Sequence, residues 1–177
     1  MKKGISVSIA SALLLAFAAA GQAASQSTVD ATARNDAPRG GCIVLKTVAE
    51  MEQVYTAENG AAAKRLVPAA KVVPGGEVVW TVTASNVCDK PADKVAIDNP
   101  VPDHMRYVAD SAMGPGTDSA FSLDGQKFAA PEALTVRGAD GAERAARADE
   151  YAFIRWTFKN ALQPGSVAFA RFRAVVK

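Results

Sequence analysis

The sequence predicts an all-β fold, a sandwich of roughly seven to nine mostly antiparallel strands, in which short runs recur with turn signals every 8 to 12 residues or so. Two observations carry that prediction. Runs such as EVVWTVTASNV alternate between two faces and are rich in β-branched and aromatic residues, as a half-buried strand requires. Between them stand Pro-Gly, Asp-Gly and Asn-rich segments, which end a ladder and reverse the chain.

The chain begins with a segment outside that fold. Lys2 and Lys3 precede an apolar run from Ile5 to Ala20, and Gly21, Gln22 and Ala23 supply small residues for cleavage, so residues 1–23 read as a secretory signal peptide. The apolar run is shorter than the ~20 residues of a bilayer span, and no second one follows, so no stable membrane span is expected after cleavage. Cleavage removes two of the 20 basic residues and none of the 18 acidic ones, which balances the charge. A neutral chain offers no electrostatic case for nucleic acid, whose binding is led by phosphate neutralisation. Residues 24–41 are small and polar, too poor in apolar surface to offset their ordering entropy, and read as a flexible leader. Residues 42–177 are of a size for one domain.

CIVLKTVAEM opens the folded part, with Ile43, Leu45, Thr47 and Met51 on one face and Lys46, Glu50 and Glu52 on the other. AEMEQ has competing helical propensity. YTAENGAAAKRL reads as a loop, and RLVPAAKVV as an edge strand, because Pro68 cannot donate to a ladder. After the turn at Pro74, Gly75 and Gly76, the next strand turns Val78, Trp80, Val82 and Ala84 toward the core. KVAIDNPVPDH is a short strand stopped by Pro100 and Pro102, and MRYVADSA places Met105, Tyr107 and Ala109 on one side. AFSLDGQKFA reads as a hairpin with a two-residue turn at Asp124 and Gly125, pairing Phe121 with Phe128. LTVR is one more strand, and GADGAERAARAD an exposed loop with room for a helical turn. In the two closing runs Ala152, Ile154, Trp156 and Phe158 face in, as do Ala168, Ala170, Phe172, Ala174 and Val176, with Gln163, Pro164 and Gly165 turning the chain between them as a hairpin.

Two cysteines remain, Cys42 and Cys88, and in an oxidising exported compartment an even pair is expected to be bridged. If the first strand runs antiparallel to the one ending at Val87, the two cysteines fall side by side.

PGGEVVWTVTASNVCDKPADKVAIDNPVPDHMRYVADS resembles the conserved-repeat domain of bacterial surface proteins, domain of unknown function 11. The resemblance rests on Pro74 and Gly75, Trp80, Asn86, Asp98, Pro102, Tyr107 with Val108, and Ser111, and on IRWTFKNALQPGSVAFARFRAVV with Pro164 and Gly165 in its turn. It covers most of Leu45 to Lys177. It implies an immunoglobulin-like sandwich of exported proteins, without catalysis or cofactor; here the motif occurs once, whereas the family usually repeats it in tandem. The Cys–Trp order also differs from a true immunoglobulin bridge, since Trp80 precedes Cys88 and does not follow the first cysteine closely.

Catalytic and metal constellations are poor. His104 is the single histidine, and no GxSxG elbow accompanies it. One histidine and two distant cysteines make no zinc set. Asp93, Asp98, Asp103 and Asp110 lie in rim turns but match no twelve-residue calcium loop. Gly114 and Gly116 belong to no phosphate-binding motif. The remaining candidate is a ligand face on the last two strands, Tyr151, Phe153, Arg155, Arg171 and Arg173, where arginines beside aromatics suit an acidic polysaccharide or a protein partner. The sequence thus predicts a non-enzymatic module of the cell envelope, periplasmic or secreted, with a structural or protein-interaction role, and acidic-glycan binding as the alternative.

Overall fold

The computed structural model describes residues 41–177; the expected signal peptide at 1–23 and the leader at 24–41, its last residue excepted, lie outside them. The architecture is an all-β sandwich of antiparallel strands. The strands are β1 (Ile43–Thr56), β2 (Ala62–Pro68), β3 (Glu77–Asn86), β4 (Ala96–Pro100), β5 (Met105–Tyr107), β6 (Thr117–Ser122), β7 (Thr135–Arg137), β8 (Glu143–Ala145), β9 (Phe153–Phe158) and β10 (Val167–Val176). One sheet has five strands in the order β2-β1-β3-β10-β5, the other three in the order β4-β9-β6, and β7 and β8 form a separate two-stranded ribbon.

The core lies where the alternation predicts it. Val78, Val82 and Ala84 of β3 and Ala170, Phe172 and Ala174 of β10 face Ile154, Trp156 and Phe158 of β9 across the sandwich, and all are buried. The rings of Trp156 and Phe172, one from each sheet, lie 6.2 Å apart. Trp80 differs from the expectation of a core tryptophan. It stacks on Phe172 at 6.3 Å yet is only partly buried, although its neighbours on the same face of β3, Val78 and Val82, are each 1% exposed. Farther out on the same face, Leu45 of β1 is exposed.

Several expectations are corrected. YTAENGAAAKRL is no loop: β1 runs on to Thr56 and returns as β2 through a turn at Ala57–Ala61, with Gly60 at φ +79° and the Asn59 side chain accepting from the Ala61 N–H. The competing helix at AEMEQ does not form, since Ala49 and Glu50 pair with β3 and Glu50 to Gln53 with β2. Asp124 and Gly125 do not make a two-residue hairpin; Phe121 bridges to Ala129, one residue beyond the expected partner. The reason is polar: the Ser122 hydroxyl accepts from the Gly125 N–H and the Asp124 carboxylate from the Gln126 and Lys127 N–H groups, which opens the turn into a wider loop. Those backbone donors hold the Asp124 carboxyl below its ordinary range. β5 ends at Tyr107, and Ala109 is exposed ahead of Asp110, whose φ of 57° breaks the strand.

The predicted loop after LTVR contains β8 and a single 3-10 turn, Ala148–Glu150. Glu150 organises it. Its carboxylate accepts from both terminal nitrogens of Arg144, at 2.7 and 2.6 Å, and from the Arg147 N–H at 2.8 Å. These donors, Arg144 first, lower its pKa from 4.5 to about 2. A carboxyl depressed on folding binds fewer protons in the native state, so its contribution is present above the unfolded value and fades as pH falls through the folded one. Glu150→Gln is therefore less stable than the wild type at pH 6, and the gap closes between about pH 4.5 and about 2, read as urea midpoints across that range.

Candidate functional site

Cys42 and Cys88 form the expected disulfide, with Cα atoms 5.1 Å apart. The antiparallel register that pairs Ile43 with Asn86 brings them together, and the bridge joins neighbouring strands of one sheet.

The five-residue ligand face does not assemble. β9 pairs with β4 and β6 whereas β10 pairs with β3 and β5, so Arg155 and the pair Arg171 and Arg173 lie on opposite outer faces of the sandwich. Strands that face one another across a sandwich and strands that pair in a hairpin show the same alternation, and Leu162, midway in the connection, exchanges backbone hydrogen bonds with Ala92 instead of closing a tight turn. Tyr151 is buried against Tyr107 and Phe121, with ring centroids at 5.9 and 4.8 Å, because the 3-10 turn before it swings it inward before β9 begins.

The outer face of the three-stranded sheet is covered at one end, by Phe128 and Gly125, while Ala96, Thr157 and Asp118 stay exposed at the other. Arg155 forms a two-pronged ion pair with Asp98, both contacts 2.6 Å, and its guanidinium lies 3.8 Å from the centroid of the Phe128 ring. Asp98 holds the arginine more strongly protonated than usual. Phe153 packs under Gly125, where a Cβ would come within 2.9 Å of its ring.

The outer face of the five-stranded sheet has two halves. At one end Glu52 and Glu77 both bind Arg173, and Glu52 also takes Lys64 at 2.8 Å; Lys64 and Arg173 hold the Glu52 carboxyl below its ordinary range. Val79, between β1 and β10 in this cluster, is only 2% exposed. Toward the other end nothing among the described residues covers the sheet. Val167, Phe169 and Met113 are exposed there, beside half-buried Thr81 and Thr83 and the exposed Lys46. Arg171 donates to the Thr81 hydroxyl at 2.9 Å and lies 5.9 Å from the Phe169 ring centroid, with no acidic partner among the described residues. This half-face, Arg171 and Phe169 with Thr81, Thr83, Lys46 and Met113, is the candidate site. Sequence reasoning had Arg171; it missed Phe169, although the period of two that turned Arg171 outward also turned Phe169.

His104 is exposed in the turn before β5. Among the described residues no three histidine, cysteine, aspartate or glutamate side chains converge as a metal set, and no helix is long and apolar enough to cross a membrane. No family model, curated protein or solved structure matches the chain.

Proposed function

We propose that the chain is an exported, non-enzymatic β-sandwich module of the cell envelope, of the immunoglobulin-like conserved-repeat type, that works by binding another protein. The observation that carries this reading is the composition of the open half of the five-stranded sheet, which leaves Phe169, Val167 and Met113 exposed around Arg171, whereas the exposed end of the other outer face presents only Ala96, Thr157 and Asp118. Aromatic, Met and Arg groups together are the composition of an interface core. The disulfide suits the oxidising compartment that export implies.

The acidic-glycan alternative is the weaker one, because two of its three arginines are occupied. Arg155 is neutralised by Asp98 and Arg173 by Glu52 and Glu77, which leaves Arg171 and Lys46 to meet an anion. Two separated cations give a shallow field in physiological salt. The disulfide-bonded protein is therefore expected to bind a detergent-solubilised envelope protein fraction and to leave an acidic-glycan array unlabelled. Array binding abolished by Arg171→Ala would reverse the order of the two readings, and turnover of an envelope substrate would remove both.

A further inference from the structure

Charge is segregated along the outer face of the five-stranded sheet. In the open half, Lys46, Thr83 and Phe169 stand side by side in one row of the ladder and Val48, Thr81 and Arg171 in the next, so these rows carry two cations and no acid. The outward acids of β1 and β3, Glu50, Glu52 and Glu77, lie at the other end, level with Val79 or beyond it. There Arg173 engages Glu52 and Glu77, and Lys64 engages Glu52. The open end is apolar as well as cationic. Val167 is 66% exposed, and the alternation that buries Asn86 turns Val87 outward at 60%. Phe169 and Met113 are exposed beside Arg171.

Of the three arginines on the outer faces of β9 and β10, Arg171 alone lacks a carboxylate among the described residues. Arg155 commits Nε and Nη2 to Asp98, and Arg173 gives Nη1 to Glu77 and Nη2 to Glu52. Arg171 instead donates from Nε to the Thr81 hydroxyl at 2.9 Å, with its guanidinium 5.9 Å from the Phe169 ring centroid. Its group is thus held at the base, while Nη1 and Nη2 have no acceptor among the described residues. Two terminal nitrogens held as a fork match the two oxygens of a carboxylate. Holding the fork beforehand reduces the entropy lost when a ligand binds.

We infer that the open half-face receives an acidic segment of a partner protein, in which an Asp or Glu carboxylate accepts from Nη1 and Nη2 of Arg171 and neighbouring apolar side chains pack on Phe169, Val167 and Met113. The inference rests on the proposal that this half-face is the binding surface, and it names the chemistry of what that surface takes. Sign selects the occupant: Lys46, across Thr83 from Phe169, adds a second positive charge, and these rows hold no acid to answer either cation. The apolar groups around Arg171 exclude water once covered, and a pair sheltered in that way is screened by salt much less than exposed, separated charges are. A second copy of the chain suits the surface less well. Laid row on row, the half-face would set cations against cations, which is costly. Turned end for end, it would meet the end where Arg173 and Lys64 already neutralise Glu52 and Glu77.

The test presents the disulfide-bonded protein with a detergent-solubilised envelope protein fraction in three forms: untreated, with its carboxylates amidated by methylamine, and with its amines acetylated. Binding is expected from the untreated and acetylated forms and is expected to be lost from the amidated one. Arg171→Gln, which removes the fork and leaves Phe169 in place, is expected to weaken binding about ten- to a hundredfold, the worth of a hydrogen-bonded contact to a charged group. The amidated fraction probes the same contact with the chain unchanged. Equal binding of the untreated and amidated forms overturns the inference. So does binding that Phe169→Ser abolishes and Arg171→Gln leaves intact, and in that case the half-face stands as a binding surface of different chemistry. Binding that survives protease digestion of the fraction assigns the carboxylate to a polysaccharide and overturns the inference too. A dimer of the protein alone in sedimentation equilibrium, dissociated by Arg171→Gln, assigns the face to a second copy with the same result. Absence of binding from every form removes the proposed function and the inference together.

Discussion

Replacing Cys42 and Cys88 together by alanine lowers the free energy of unfolding by about 4 kcal/mol, the value for a closed loop of this size on the chain-entropy model. The cysteines are 46 residues apart in sequence, and the loop they close holds all of β1, β2 and β3. Without the bridge those strands lose the constraint on their unfolded ensemble, and β1 loses its anchor at the end where only β3 pairs with it. Against a typical total of about 5–15 kcal/mol, such a loss leaves a marginal fold. Urea unfolding of the bridged protein and the double variant measures it. A difference below about 1 kcal/mol would mean that the β1–β3 ladder holds the chain ends unaided.

Asn86→Ala is expected to cost about 3 kcal/mol, because it strands the buried Leu162 carbonyl and two part-buried backbone groups at once. The Asn86 side chain is 1% exposed. Its Nδ2 donates to the Lys90 carbonyl at 2.8 Å and the Leu162 carbonyl at 2.7 Å, and its Oδ1 accepts from the Cys88 N–H at 3.1 Å. Its backbone meets Ser166 and Gly165. One side chain thus joins the end of β3, the loop that carries Cys88 and the connection between the two sheets. Asn86→Asp discriminates between lost packing and lost hydrogen bonds: the carboxylate is nearly the same size but faces two carbonyl oxygens, so it is expected to be at least as damaging as alanine. An aspartate variant of wild-type stability would contradict this role. Because Asn86 and the disulfide both fix Cys88, losses from removing the two are not expected to add.

The sequence was most informative where one strand carries a strong alternation. β3 and β10 could be read directly, and an antiparallel first strand was enough to pair Cys42 with Cys88. Asn86 was visible only as part of a family-like motif, since nothing local says that its partners stand at Lys90 and Leu162. RLVP was read rightly as part of an edge strand, but the tip of the β1–β2 ribbon escaped because, with exposed Gln53, Val54, Tyr55, Lys64 and Arg65, it buries too little to show a hydrophobic period; the Asn59-Gly60 pair was its one turn signal. The ligand face failed for a topological reason. A period of two states which residues share a side of their own strand, and it is silent on whether the next strand lies beside it or across the core. Tyr151 was misplaced by extending the alternation of β9 backward through a 3-10 turn.

The reading of this protein as an interaction module turns on whether the open half of the five-stranded sheet is its working surface. Binding of the purified, disulfide-bonded protein to a solubilised envelope protein fraction, compared among wild type, Phe169→Ser with Arg171→Glu, and Arg155→Ala, measures that most directly. Loss of binding is expected in the Phe169 and Arg171 variant, with Arg155→Ala retaining it, since Arg155 lies on the opposite outer face. Binding that survives the change at Phe169 and Arg171, or that falls equally with Arg155→Ala, would contradict the account.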